Sequence, residues 1–286
     1  TLSPSHIGGG LLTIEWTPSQ RQRLKELGIP SDPEHNINDV EEREAVFSRL
    51  VTRRQSECRQ AIRGMMERPE RHQLAQFEQD LAQALVDDGF LEVRTPTMIT
   101  RSALEKMGIG RDHPLHEQVF WLDEKRCLRP MLAPNLYYTM RHLKRSAKGS
   151  LKLFEVGTCY RKESHGSNHL EEFTMLNLVE LDPENDPREQ LKRHISTIMG
   201  AAGLDYELVA CSSDVYVETT DVEVDGVEVA SGAIGPHKLD PAHGIKAPWA
   251  GVGFGLERLL MLKRGEDNVK KVGRSLIYLQ GVRLDI

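Results

Sequence analysis

The 286-residue chain holds only four cysteines, Cys58, Cys127, Cys159 and Cys211, and no two of them form a Cys-x-x-Cys pair. Their scatter argues against a structural zinc site and fits a reducing cytoplasm, the expected location. No apolar run approaches the ~20 residues that a membrane-spanning helix needs, and no secretory leader is visible, so no membrane partner is expected. There is no basic excess either: 37 Lys and Arg stand against 43 Asp and Glu, a net charge of -6. That sign does not exclude RNA, because local patches rather than the total charge hold phosphate. The run Gly251-Val252-Gly253-Phe254-Gly255 lacks the spacing and the βαβ surroundings of a dinucleotide fingerprint. Hydrophobic content of 39% is ordinary for a chain with a sizeable core.

Three stretches carry the chemistry. The first runs from Cys159 to Ser164 and returns from Glu172 to Asn177, two strands joined by a polar loop, His165 to His169. Arg161 and Glu163 stand two apart, which on a strand puts them on one face. An arginine fork matches phosphate oxygens bidentately, and a glutamate can accept from an exocyclic amine. The face of Phe173 can stack on a base, for roughly 1–3 kcal/mol. Together they describe a nucleotide lying on an antiparallel sheet; the alternative is a surface hairpin with a salt bridge. In the second stretch, alternate glycines from Gly251 to Gly255 leave one strand face bare before an apolar helix opens. Arg258 falls in the first turn of that helix, against the helix dipole, which suggests a bound anion. The third stretch, Asp88 to Pro96, follows an amphipathic helix and ends a strand at proline.

In this order the three stretches resemble motifs 1, 2 and 3 of the class II aminoacyl-tRNA synthetases, over about residues 71–286. Motif 1 corresponds to Gly89 to Pro96, motif 2 to Tyr160-Arg161-Lys162-Glu163 with the return to Phe173, and motif 3 to Gly253 to Arg258. The runs Arg129 to Tyr137, Arg161 to Ser164 and His169 to Asn177 further resemble the pyrrolysyl-tRNA synthetases, in the branch without a separate N-terminal RNA-binding module. The resemblance implies an α+β fold: the class II catalytic domain, an antiparallel sheet flanked by helices, with an N-terminal helical extension.

Residues 1–16 read as a flexible lead or a cloning remnant. Residues 17–70 form the helical extension and residues 71–286 the catalytic domain. Thr17 and Pro18 predict a helix start, ended by Gly28 and Pro30. A long helix follows from Asp39 to about Glu67, dense in Arg49, Arg53, Arg54, Arg59 and Arg63. A solvated face accounts for these arginines; the resemblance favours a grip on the tRNA backbone. Leu74, Phe77, Leu81 and Leu85 mark a buried helix face, and the resemblance puts part of that helix and the motif 1 strand in a homodimer interface. Ser102 and Glu105 form a capping box, Gln118 to Leu122 reads as a strand, and Ala133 to Leu143 as a helix. A helix from Glu189 to Met199 lies on the outside, and Asp225-Gly226 is a hairpin turn.

Leu136, Tyr137 and Met140 share a helix face, which core packing alone would explain. The resemblance places them, with Ala133, Val179, Ala233 and Trp249, around a deep apolar pocket for an amino-acid side chain. The family pattern has a larger residue at Ala233, so the floor is expected to be roomier. Asn177 is a lone amide on an otherwise apolar strand face and needs a partner, because an unpaired buried amide costs roughly 1–3 kcal/mol. That partner is either a neighbouring backbone group or, by resemblance, the side-chain amide of pyrrolysine. Tyr216 matches a tyrosine on a loop that covers the substrate. Glu228 and Ser231, a carboxylate and a hydroxyl, suit Mg²⁺ beside nucleotide phosphates; their plain reading is exposed strand polarity.

The roles implied by the resemblance are catalytic for Arg161 and Arg258. ATP would be held by Arg161, Glu163, His169, Phe173, Glu228, Ser231, Gly253 and Arg258, and Mg²⁺ by Glu228 and Ser231. The expected reaction activates pyrrolysine with ATP and transfers it to the amber-reading tRNA(Pyl). Two rivals are a paralogue activating another amino acid and a non-enzymatic synthetase-like regulator. A regulator would be expected to lose Arg161, Arg258 or Glu228, and all three are present.

Overall fold

The computed structural model describes residues 14–30, 37–162, 169–213, 215, 216 and 218–286. The chain divides into two compact units, residues 1–70 with 282–286, and residues 71–281. In the first unit, the Thr17 side chain accepts from Gln20 N while the Gln20 side chain returns to Thr17 N, and α1 (Pro18–Glu26) starts there. Asp39 caps α2 (Val40–Glu67) by accepting from Glu42 N. Trp16, Leu24, Ile37 and Val46 are buried together. Arg49, Arg53, Arg59 and Arg63 are exposed on α2. Arg54 differs: its Nε donates to Leu27 O at 3.0 Å, so it joins α2 to the end of α1.

In the second unit α3 (Gln73–Asp87) buries the four apolar residues its period marked. Then come β1 (Leu91–Glu92), β2 (Met98–Thr100), α4 (Arg101–Lys106), α5 (Pro114–Glu117), β3 (Arg126–Leu128) and α6 (Ala133–Leu143). The central hairpin is β4 (Leu151–Tyr160) and β5 (Glu172–Leu181), followed by α7 (Pro187–Ala202). The chain continues through β6 (Glu207–Cys211), β7 (Thr219–Val224), β8 (Val227–Gly235), α8 (Asp240–His243), β9 (Trp249–Gly255) and α9 (Leu256–Lys263). One seven-stranded sheet has the order β1-β4-β5-β9-β8-β7-β6. It is antiparallel except for β1, which runs parallel to β4. Leu176, Leu178, Val252 and Phe254 share a buried core with Leu81 of α3, Ile195 and Ile198 of α7 and Leu259 of α9. Alternation turns the intervening residues of β5 and β9 to the other face.

Several local expectations change. Thr100, not Ser102, caps α4, accepting from Ala103 N at 3.3 Å, so the helix starts before the expected box. The strand expected at Gln118 to Leu122 is a loop in which Trp121 alone bridges to Cys127; the strand there is β3. The helix expected on the outside, α7, is there: Glu189, Lys192, Arg193 and Ser196 are exposed, while Leu191, Ile195, Ile198 and Met199 pack into the core beneath it. The motif 1 strand keeps only two residues. No helix among the described residues is long and apolar enough to cross a membrane.

Candidate active site

Three central strands offer their free face in rows. Asn177 of β5 pairs with Gly253 of β9, and Gly253 pairs with Ser231 of β8. In the next row Val179 faces Gly251 and Gly251 faces Ala233; beyond it Leu181 faces Trp249 and Trp249 faces Gly235. Phe173 and Met175 lie on the same face of β5 toward the opposite end. A cavity of about 600 Å³ stands on these rows, within the ~300–1,000 Å³ usual for small-molecule sites. Gly251, Gly253 and Gly255 line it along β9, so beyond Trp249 the free face of that strand offers backbone. Every expected site residue that is described lines this one cavity: Ala133, Leu136, Tyr137, Met140, Arg161, His169, Phe173, Asn177, Val179, Tyr216, Glu228, Ser231, Ala233, Trp249, Gly253 and Arg258. Glu163 lies outside the described residues.

At one end the groups are charged. β4 stops at Tyr160, so Arg161 sits just past the strand rather than on it. Arg161 N donates to Glu171 O at 2.9 Å, its Nε donates to Pro130 O at 2.9 Å, and its guanidinium lies 5.4 Å from the Phe173 ring centre. Across the cavity, Arg258 NH1 donates to the backbone oxygen of Glu228 at 2.7 Å. Its neighbour Glu257 is buried and accepts from Thr174 N at 2.8 Å and from Thr174 Oγ1 at 3.0 Å, joining the start of α9 to β5. Burial pushes the Glu257 carboxyl up, against the pull of those hydrogen bonds and of Arg274.

A bulge places Glu228 and Ser231 together. From the Asp225-Gly226 turn, Val224 pairs with Val227 and Glu223 with Glu228; the register then slips, and Val222 pairs with Ala230 and Asp221 with Ser231. An unbroken hairpin would pair Asp221 with Ala230 and turn Ser231 away from Glu228. With the bulge, Glu228 and Ser231 share a face, and Ser231 Oγ donates to Asp221 Oδ1 at 2.6 Å. Burial pushes the Glu228 carboxyl up; Asp221 adds to this, and Arg258 and Arg161 oppose it. No cluster of three or more metal-ligating His, Cys, Asp or Glu occurs among the described residues. The donors instead fit a magnesium ion held by few protein oxygens and otherwise by phosphate and water, with Glu228 supplying charge and Ser231 a hydroxyl whose proton is already turned to Asp221.

The other end is apolar with one amide. Leu136, Tyr137 and Met140 of α6 are buried, as are Val179, Ala233 and Trp249. The Asn177 side chain makes no hydrogen bond to a described residue and faces the cavity. Tyr137 does not face it as a plain hydrophobe: its hydroxyl donates to Asp240 at 2.9 Å, and Trp249 Nε1 donates to the same carboxylate at 3.0 Å. Tyr137 stacks on His243 with ring centres 4.2 Å apart, and Tyr216 meets Trp249 edge-on at 5.9 Å. Burial drives the Tyr137 and Tyr216 hydroxyls to stay protonated.

Below the charged end, Arg129 and Glu155 pair at 2.7 Å with side chains 3% and 2% exposed. Thr95 N and Oγ1 donate to Glu155 at 3.0 and 2.7 Å, and Arg129 Nε donates to Thr158 O at 2.8 Å. Tyr160 N donates to Arg129 O at 3.0 Å, one residue before Arg161. This pair, with Asp221, Asp240 and Glu257, escaped the sequence reading. Asp221 stands four residues before the Asp225-Gly226 turn, and Arg129 and Glu257 lie within the runs that carry the resemblance, but no local pattern gives any of these residues a part in the site.

Comparison with known proteins gives the family. Residues 60–280 match the family model for the tRNA synthetases class II core domain (F). The crystal structure of pyrrolysyl-tRNA synthetase from Desulfitobacterium hafniense is 48% identical, with a TM-score of 0.86 over 96% of this chain and 100% of that one. A second structure of that enzyme is 47% identical, with a TM-score of 0.85 over 97% of this chain and 100% of that one. The threonine–tRNA ligase of Nitrosomonas europaea is 32% identical over 98 residues, which is 33% of this chain and only 15% of that protein's length. The chain belongs to the class II aminoacyl-tRNA synthetases, in the family of the pyrrolysyl-tRNA synthetases.

Proposed function

We propose that the protein is a pyrrolysine–tRNA ligase, which activates pyrrolysine with ATP and esterifies it to tRNA(Pyl). The observation that carries this reading is Asn177: one amide without a described protein partner, in an otherwise apolar pocket beside a charged nucleotide end. An N-ε-acylated lysine has the complementary chemistry, a long apolar body with one amide partway along.

ATP would lie over Gly253 with its base against Phe173 and Glu163, and with its phosphates toward Arg161, His169 and Arg258. The ionised amino-acid carboxylate attacks the α-phosphorus, the bond to pyrophosphate breaks, and no side chain need take a proton. Arg161 meets the negative charge that develops there, so catalysis is positioning and electrostatics. When bound, a magnesium ion held by Glu228 and Ser231 would add positive charge among the phosphates. The tRNA terminal hydroxyl then takes the aminoacyl group and AMP leaves. In the same reading the exposed arginines of α2 meet the tRNA backbone, two copies pair through the motif 1 region, and the protein works in the cytoplasm.

The test is aminoacylation of a tRNA(Pyl) transcript with an N-ε-carbamoyl lysine, read on an acid gel. A charged tRNA that Arg161→Ala abolishes supports the reading. Adenylate formation with no charging of this tRNA would remove the ligase assignment.

A further inference from the structure

The apolar end of the cavity closes on a carboxylate that the reaction does not use. Asp240 opens α8, is 2% exposed and does not itself line the cavity. Its Oδ1 accepts from Tyr137 OH at 2.9 Å, and its Oδ2 accepts from Trp249 Nε1 at 3.0 Å and from His237 N at 2.6 Å. Every one of these partners donates, the pattern of a carboxylate rather than a carboxylic acid. None of the three donors carries a positive charge. Tyr137 and Trp249 stand between Asp240 and the cavity, and the Tyr216 ring meets Trp249 edge-on with centres 5.9 Å apart. The wall is therefore two aromatic rings pinned from behind by one anion.

We infer that Asp240 is a positioning residue that sets the specificity of the pocket: it fixes Tyr137 and Trp249 as the closed end and gives that end a negative field, so neutral N-ε-acyl lysines are taken and acyl groups ending in a carboxylate are refused. This rests on the amino-acid pocket proposed above. The physical reason is that a buried charge acts through a poorly screened interior, while an arriving carboxylate would lose its water and find no donor left free by the network. A neutral chain of the same length meets only ring faces.

The test uses ATP–pyrophosphate exchange by the whole protein with two side chains of similar length, N-ε-butyryl lysine and N-ε-succinyl lysine. The wild type is expected to favour the butyryl substrate in kcat/KM by 100-fold or more. Asp240→Asn can keep the network: its amide oxygen holds Trp249 and His237, and its NH2 donates to the Tyr137 oxygen. It removes the charge alone. The preference then falls at least tenfold, chiefly through a lower KM for the succinyl substrate. Tyr137→Phe does the reverse, stripping a donor from the anion, and keeps or raises the preference. A merely structural role would lower the preference in both variants or change it in neither, and either outcome overturns the inference. If Asp240→Asn melts early, Tyr137→Phe decides alone, and a lowered preference there overturns it. A wild type silent with the butyryl substrate would instead remove the pocket reading, a different result from an active wild type with an unchanged ratio.

Discussion

Asn177 and Ser231 stand in one row of the sheet with only Gly253 between them. Strand spacing sets their Cα atoms roughly 10 Å apart, the amide on the apolar side of the cavity and the hydroxyl beside Asp221 and Glu228. In the proposed reaction the amino acid and ATP meet above that glycine.

A methyl group on Gly253 therefore falls between the two ligands. It would lie 3.3 Å from Met175 Cε and 3.6 Å from Asn177 Cγ, and a methionine end can yield. Gly253→Ala is expected to keep its melting temperature and to raise KM for ATP and amino acid about tenfold, as ~1–2 kcal/mol of overpacking would. Gly251→Ala behaves differently: its Cβ would lie 3.1 Å from the backbone oxygen of Leu178 and 3.4 Å from Val179 Cγ2. That variant should lose stability first, read as an earlier denaturation midpoint.

Arg161 is held by Pro130 O and lies against Phe173, so its guanidinium is placed before substrate arrives. Losing one such donor costs about 10²–10³ in kcat where measured. Arg161→Ala should lower kcat for pyrophosphate exchange by that factor with the fold intact by circular dichroism. An exchange rate within threefold of wild type would contradict the role.

Glu228 sets a pH dependence. Burial, then Asp221, raise its carboxyl above the usual 4.5. A raised value means that the proton is taken up at higher pH, so the carboxylate needed beside magnesium is lost earlier on acidification than at a free glutamate. Magnesium-dependent ATP binding, followed by calorimetry, should fail at a pH above 4.5, and more magnesium should push that limb lower. Asp221→Asn should also lower it by removing the neighbouring charge.

The Arg129–Glu155 pair is out of water on both sides. Removing one partner leaves an uncompensated buried charge, so Glu155→Ala should cost about 3–5 kcal/mol in denaturant unfolding. Gly157 belongs to the same arrangement, because a Cβ there would run into the Arg129 guanidinium.

What could be read beforehand was local. The Thr17 cap, the span of α6 and the Asp225-Gly226 turn follow from residues a few positions apart, and both turn residues take the positive φ that such a turn requires, 51° and 75°. The motif residues could be gathered only through resemblance. The bulge at Val229 was not legible: Glu228 and Ser231 are three apart, and strand alternation would separate them. Asp240 lies 103 residues from Tyr137, and Glu155 lies 26 from Arg129. Such pairs follow from the fold and leave no pattern in the neighbouring sequence. The strand expected near Phe120 failed for a related reason: apolar, strand-like residues form a strand only where a neighbour can hydrogen-bond to them.

The most direct measurement is ATP–pyrophosphate exchange with pyrrolysine, an N-ε-carbamoyl lysine, lysine and phenylalanine. Exchange with the first two alone is the predicted result, since a lysine ammonium would be buried in the apolar pocket without a partner. Exchange with lysine as fast as with the carbamoyl lysine would contradict the Asn177 pocket and the account built on it.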